Sequence, residues 1–318
     1  MATELLSEVR GDPDVEIAHD VECVRTGIVN CFLYGEPGAG DRGWVLVDAG
    51  MYGFGHTIVR HAARRFGAES RPAAIVMTHG HFDHIGALRE LAEAWDAPVY
   101  AHRLELPYLT GRSSYPPPDP TVGGGFMALG SPLYPRGPID LGERVQPLPE
   151  DGSVPGMPGW RWLWTPGHTP GHVSLFRDSD AVLIAGDAFV TTKQESLLAV
   201  LEQRPEIHGP PAYFTQDWDA ARGSVQRLAE LKPEVVATGH GRPLRGRVMR
   251  EGLEMLAANF EMLAVPRDGR YVRAPALADE RGTVSVPPAV FNPTPVLIGA
   301  GAALALGILL GRRLRQRD

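Results

Sequence analysis

The segment THGHFDH at residues 78–84 constrains this 318-residue chain more than any other. It places three imidazoles and a carboxylate in six positions, between an apolar run and a helical pattern. Side chains alternate along extended backbone, so His79 and His81 should lie on one side. Asp83 and His84 fall at the following turn and can face a second centre. Clustered nitrogen and oxygen donors suit a borderline ion such as Zn²⁺. The segment therefore predicts a metal site where a strand gives way to a helix.

Three later segments carry further donors, each close to an apolar stretch of the strand type. His168 lies in TPGHTPGH after a Trp-rich alternating run, Asp187 follows AVLIAG, and His240 follows EVVATG. Loops at the ends of buried strands are common positions for site residues in α/β folds. The second histidine of TPGHTPGH, His172, is expected to brace this loop by hydrogen bonding, since metal ligands need such partners.

The four segments together resemble the metal motifs of the metallo-β-lactamase superfamily, over roughly residues 20–245. The resemblance implies an α/β fold, a four-layer αβ/βα sandwich, with the catalytic domain at residues 1–250. It also implies two divalent metal ions, with zinc favoured and iron or manganese as alternatives. One ion would be held by His79, His81 and His168, the other by Asp83, His84 and His240, with Asp187 between them.

The chemistry predicted from this metal pair is hydrolysis. Two divalent ions that share a carboxylate can bind water, lower its pKa and polarise a carbonyl or phosphoryl oxygen. Metal-bound hydroxide is then the expected nucleophile, and Asp83 is the expected proton acceptor or donor. The sequence shows no Ser or Cys motif that suggests a covalent nucleophile. The function predicted is hydrolysis of a small ester, thioester or lactone.

Several related activities fit less well. The second motif is similar to that of glyoxalase II-like thioesterases, but the chain after His240 is too short for the helical substrate domain of that enzyme. A true β-lactamase is disfavoured, because those enzymes lack a bridging carboxylate at the position of Asp187. Two other classes stay open: a mononuclear iron oxidoreductase of the persulfide dioxygenase type, and a non-catalytic membrane-tethered metal-binding module.

Composition narrows the partners and the compartment. The formal net charge of −7 and the pI near 5.9 disfavour nucleic-acid binding, which usually requires a basic patch, so a small-molecule substrate is expected. The only cysteines, Cys23 and Cys31, imply no disulfide framework and favour a reducing compartment. The N-terminus shows no basic region followed by an apolar run, so a cytoplasmic location is expected. Nothing in the sequence indicates an oligomeric state.

The C-terminal part differs from the rest of the chain. Residues 251–295 are expected to form a helix and then a Pro-broken linker. Residues 296–311 are an uncharged apolar run and a candidate transmembrane helix, followed by a basic tail at residues 312–318. Such a helix would be about 24 Å long, short of the roughly 30 Å hydrocarbon core. Membrane attachment through this helix is the prediction, and a helix docked on the catalytic domain is the alternative.

Two further expectations concern residues 111–138 and two histidines outside the metal motifs. Residues 111–138 contain seven prolines and six glycines, which excludes a long helix and a central strand. This segment is predicted either to form a substrate-facing wall or lid or to be a plain surface excursion. His56 and His61, on a predicted helix, are expected to be solvated. The candidate wall residues are Tyr115, Phe126, Met127 and Tyr134.

Overall fold

The computed structural model describes residues 15–290 of the chain. The predicted transmembrane helix at residues 296–311 and the basic tail at residues 312–318 lie outside the described residues. Within residues 15–290, none of the helices combines the length and the apolar character needed to cross a membrane. Membrane attachment through the C-terminus therefore stays a prediction.

Seven strands form the first sheet in sequential order. The first four pair antiparallel, and the last four pair parallel. The strands are β1 (Val15–Ala18), β2 (Val21–Thr26), β3 (Val29–Tyr34), β4 (Val45–Val47), β5 (Ala74–Val76), β6 (Val99–Ala101) and β7 (Val145–Pro147).

Five strands form the second sheet, in the order β12-β11-β10-β9-β8. Only β10 and β11 pair parallel in this sheet. Its members are β8 (Trp160–Trp164), β9 (Val173–Arg177), β10 (Val182–Gly186), β11 (Val235–Thr238) and β12 (Leu244–Arg245). A separate hairpin joins β13 (Leu277–Asp279) and β14 (Gly282–Ser285).

Helices alternate with these strands. The α-helices are α1 (Gly55–Phe66), α2 (Leu88–Trp95), α3 (Leu106–Leu109), α4 (Phe126–Gly130), α5 (Leu197–Glu202), α6 (Trp218–Glu230), α7 (Gly246–Ala258), α8 (Phe260–Leu263) and α9 (Arg270–Arg273). Short 3₁₀ turns lie at Pro120–Val122, Ser131–Leu133 and Gly142–Arg144.

Three apolar cores show how these elements stack in layers. On β4, Leu46 faces α1 and α2, whereas Val45 and Val47 face the second sheet, because side chains alternate along a strand. Leu183 and Val236 of the second sheet face α6 and α7 on its outer side. The order is therefore helices, sheet, sheet, helices, as the resemblance implies, in a mixed α/β fold.

The two cysteines lie in different cores. Cys23 is buried between the two sheets, and Cys31 is buried between the first sheet and its helices. No disulfide joins them. Neighbouring strands hold the two thiols on opposite faces of the same sheet.

The prediction that His61 is solvated was wrong. His61 is 3% exposed, and its Nδ1 lies 2.9 Å from Glu22 Oε1. Arg64 donates to the same carboxylate oxygen at 2.6 Å. His61 belongs to the buried face of α1 together with Ile58, so the helix turns its imidazole towards β2. His56 is exposed, as predicted.

The region predicted as a Pro-broken linker contains more structure than expected. It holds α9 and the β13–β14 hairpin within the described residues. Thr283 anchors the hairpin: its N–H donates to Ser113 Oγ at 3.1 Å and its hydroxyl donates to Ser114 O at 2.9 Å. Strands of three and four residues leave too short an alternating pattern to be recognised in the sequence.

Candidate metal centre

The seven predicted ligands come from loops that follow strands. His79, His81, Asp83 and His84 follow β5, His168 lies between β8 and β9, Asp187 follows β10, and His240 follows β11. All seven side chains are buried. Their donor atoms form three overlapping groups, each with atoms within 4.8 Å of one another. The structure thus brings together every residue that the sequence proposed as a ligand.

The first group contains His79, His81 and His168. His81 Nδ1 lies 2.9 Å from His168 Nε2. His168 Nδ1 lies 3.4 Å from Thr215 Oγ1, and His79 Nδ1 lies 3.1 Å from Thr78 Oγ1. Each of these two rings therefore has one nitrogen held by a hydroxyl and the other directed to the centre.

The second group contains Asp83, His84 and His240. His240 Nε2 lies 3.3 Å from Asp83 Oδ2. His240 Nδ1 donates to Ile28 O at 2.8 Å, and His84 Nδ1 donates to Asp48 Oδ2 at 2.8 Å. Because a carbonyl and a carboxylate hold Nδ1 of the two rings, Nε2 of each ring is the nitrogen directed to the centre.

Asp187 lies between the two groups. Its Oδ2 is 3.5 Å from His168 Nε2, 3.6 Å from His84 Nε2 and 3.2 Å from His240 Nε2. The neighbouring backbone approaches closely, since a Cβ at Gly239 would lie 2.0 Å from Asp187 Oδ1. Only glycine fits at position 239, and this carboxylate can reach both donor groups.

Unsatisfied polar atoms test whether a cation fits here. Within residues 15–290, His79 Nε2, His81 Nε2, His84 Nε2 and Asp187 Oδ1 are buried and have no hydrogen-bond partner. Buried polar atoms without partners are costly and uncommon. Four such atoms in one cluster of nitrogen and oxygen donors fit divalent metal ions.

The pKa values of these groups suit metal binding. Burial lowers the pKa of His81 to about 3 and holds the pKa values of His79 and His168 well below the usual value. Burial alone would lower the pKa of His240, but Asp187 and Asp83 outweigh it and raise that pKa to about 10. The first group therefore offers neutral imidazoles, and a cation binding the second group would displace a proton.

His172 and Asp48 hold the ligands from behind. His172 Nδ1 lies 2.8 Å from Thr165 Oγ1 within its own loop, which agrees with the predicted bracing, and His172 Nε2 accepts from the Asp187 N–H at 2.8 Å. Asp48 was missed by the sequence reasoning. It accepts from Thr78 N–H at 2.8 Å and from His84, and its φ of 59° is unusual for a residue with a side chain. Its position directly after β4, like that of Asp187 after β10, was the available signal.

The segment at residues 111–138 lies partly against the centre. Tyr115 is buried, with its ring centroid 4.6 Å from that of His81. The ring centroid of Tyr134 lies 5.5 Å from that of Phe82. Phe126, in contrast, is 75% exposed to solvent. The segment forms no long helix, as predicted, and two of its four candidate wall residues approach the metal motifs.

Comparisons with known proteins show which family the chain belongs to. A sequence model of the family described as Metallo-beta-lactamase superfamily matches residues 24–240. The chain is 49% identical over 252 residues to the probable metallo-hydrolase YflN of Bacillus subtilis, covering 79% of this chain and 95% of that protein. It is 31% identical over 196 residues to the probable metallo-hydrolase YybB of the same organism, covering 62% and 74%.

A solved structure matches the fold. The beta-lactamase domain protein from Burkholderia ambifaria aligns with a TM-score of 0.53 at 21% identity, covering 78% of this chain and 76% of that one. The family match spans the strands and loops that carry all seven donors. The chain belongs to the metallo-β-lactamase superfamily.

Proposed function

We propose that this chain, a metal-dependent hydrolase of the metallo-β-lactamase superfamily, binds two divalent ions and hydrolyses a small ester, thioester or lactone. The observation that carries the proposal is the position of Asp187, whose Oδ2 lies within 3.6 Å of Nε2 of three histidines drawn from both donor groups. A carboxylate in that position can serve two ions at once.

The assignment of ligands follows the two groups. One ion would be held by His79, His81 and His168, the other by Asp83, His84 and His240, with Asp187 shared. Imidazole and carboxylate donors favour zinc, and iron or manganese accept the same donor types. When bound, the two ions would lower the pKa of a bound water and polarise the acyl carbonyl of the substrate.

Asp83 is proposed to move the proton. Burial alone would raise its pKa, but the hydrogen bond from His240 and the nearby His84 hold that pKa below the usual value. The carboxylate is thus ionised at neutral pH and can accept a proton from the attacking water. It can then return the proton to the oxygen or sulfur that leaves, which is general base and acid catalysis by one group.

An aromatic wall borders Asp83 and supports an apolar acyl portion in the substrate. We define it as Phe82, Tyr134 and Phe214. The ring centroid of Phe82 lies 5.5 Å from that of Tyr134 and 6.2 Å from that of Phe214. The ring of Phe214 stacks on the His81 imidazole with a centroid distance of 4.5 Å. Rings at this spacing bind apolar groups well and provide no charge to neutralise a charged acyl group.

A substrate panel with metal quantitation tests the proposal. Purified protein should contain two ions per chain and hydrolyse esters, thioesters or lactones with apolar acyl groups. Chelation should abolish the activity and added zinc should restore it. Asp83→Asn should lower kcat by about 10²–10⁴-fold, the usual contribution of a general acid–base group. Asp178→Asn, at an exposed ion pair with Arg161, is the matched control and should keep wild-type turnover.

Two results would contradict the proposal. One is a fully active chain that holds a single ion. The other is an inert panel together with persulfide-dependent oxygen uptake, which would support the mononuclear iron oxidoreductase instead.

A further inference from the structure

Glu105 is a completely buried carboxylate that the proposed chemistry does not use. It is 0% exposed and lies directly before α3, in a part of the sequence without a metal motif. Its carboxylate contacts two separate loops: the one that contains His79 and His81, and the one between β8 and β9 that contains His168.

Each carboxylate oxygen serves one loop. Oε2 accepts from Gly80 N–H at 3.0 Å and from the Tyr115 hydroxyl. Oε1 accepts from Gly171 N–H at 2.8 Å and from Thr169 Oγ1 at 2.8 Å. Gly80 stands between two histidines of the first group, and Thr169 directly follows the third. One side chain therefore joins the backbone segments that carry all three.

The packing around this carboxylate leaves little freedom. A Cβ at Gly171 would lie 2.7 Å from Glu105 Cγ, and a Cβ at Gly80 would lie 2.7 Å from the Tyr115 hydroxyl. Both distances are shorter than contacts that a real side chain can adopt, so the two loops can approach Glu105 this closely only as glycines. The separation of the loops is set by the width of one carboxylate group.

We infer that Glu105 is a positioning residue that fixes the spacing between His79, His81 and His168, and thereby the affinity of one of the two metal ions. This inference rests on the proposed function, since it concerns ions that the chain is proposed to bind. Groups that orient metal ligands typically contribute about 10–100-fold in metal affinity.

Glu105→Gln is the sharpest perturbation. The carboxylate receives a backbone N–H on each oxygen, whereas an amide has one oxygen and one NH₂ group, which only donates. Whichever way the amide turns, its NH₂ faces the N–H of Gly80 or of Gly171. One loop must therefore shift, although size and shape are nearly unchanged.

Glu195→Gln is the matched control. Glu195 is 3% exposed, and its Oε1 accepts one backbone N–H, from Ala212 at 2.8 Å. An amide can keep its oxygen towards that N–H, so this buried Glu→Gln change should leave metal binding intact. His168→Ala and His240→Ala serve as references for loss of the first and the second ion.

The measurement is zinc content and zinc dissociation under chelator competition, with circular dichroism as a check of folding. Glu105→Gln should resemble His168→Ala: one ion binds about 10–100-fold more weakly and the other is retained. Thr169→Val, which removes one donor to Oε1, should shift the same ion in the same direction but less, and it serves if Glu105→Gln does not fold.

The possible results separate the two proposals. The positioning role would be overturned if folded Glu105→Gln bound both zinc ions with wild-type affinity. It would also be overturned if the variant bound both ions more weakly to the same extent. Loss of zinc from Glu195→Gln to the same extent as from Glu105→Gln would also overturn it. If the wild-type chain binds no zinc, the result would instead contradict the proposed function.

Discussion

Replacing Asp48 by asparagine should weaken metal binding through a change of tautomer. Asp48 Oδ2 accepts from His84 Nδ1–H at 2.8 Å and from the Thr78 hydroxyl at 2.7 Å, and Oδ1 accepts from Thr78 N–H at 2.8 Å. An amide that keeps its oxygen on Thr78 N–H presents NH₂ to His84 Nδ1. His84 must then accept at Nδ1 and carry its proton on Nε2, the nitrogen that faces Asp187.

The size of the effect has two parts. Loss of an orienting carboxylate typically costs about 10–100-fold in metal affinity, or about 1.4–2.7 kcal/mol. If the amide turns the other way, its NH₂ faces the Thr78 N–H, and an unsatisfied buried donor lowers the free energy of unfolding by about 1–3 kcal/mol. The first loss appears only with metal, and the second appears without it.

Zinc affinity is measured by competition with a fluorescent chelator, and urea unfolding of the metal-free protein gives the second part. Asp119→Asn is the control, because Asp119 is buried and accepts the Thr121 N–H on one oxygen and the Arg270 N–H on the other. It should lose similar stability and keep both ions. If Asp48→Asn keeps wild-type zinc affinity, the tautomer argument is refuted.

Three further outcomes are expected. Asp187→Asn should weaken the binding of both ions, whereas His240→Ala should weaken mainly the binding of one. Zinc titration of the two variants measures this difference, and equal effects would contradict a shared carboxylate. Burial holds the pKa of His172 at about 4, below its unfolded value of 6.5, so the unfolded chain binds more protons between these two pH values. The metal-free protein should therefore lose stability as the pH falls from about 6.5 to about 4. Urea midpoints that do not move over this interval would argue against this prediction. Glu22→Gln, which removes the carboxylate charge that contacts His61 and Arg64, should lower the free energy of unfolding by about 1.5–3 kcal/mol, the usual contribution of hydrogen bonds to a charged group. Asp41→Asn at an exposed ion pair should leave urea unfolding unchanged, and equal midpoints for the two variants would show that the buried contact adds nothing.

The candidate ligands could be predicted from the sequence because their motifs are local and resemble those of the superfamily. His79, His81, Asp83 and His84 lie within six positions, and Asp187 and His240 each follow a short apolar run that forms a buried strand. The periodicity of a strand and the break at its end are encoded by neighbouring residues. The layer order could be predicted as well, from the resemblance carried by these motifs.

The supports of the site could not be predicted in this way. Glu105 contacts Gly171 across 66 positions, and Asp48 contacts His84 across 36. The burial of His61 likewise depends on which face α1 turns towards β2. The candidate metal-binding side chains could be recognised from the sequence, because ligand chemistry belongs to single residues and their local backbone and because the motifs resemble those of the superfamily. The buried groups that orient these candidate ligands become visible only in the folded chain, because such partners meet through the packing of strands and loops far apart in the sequence.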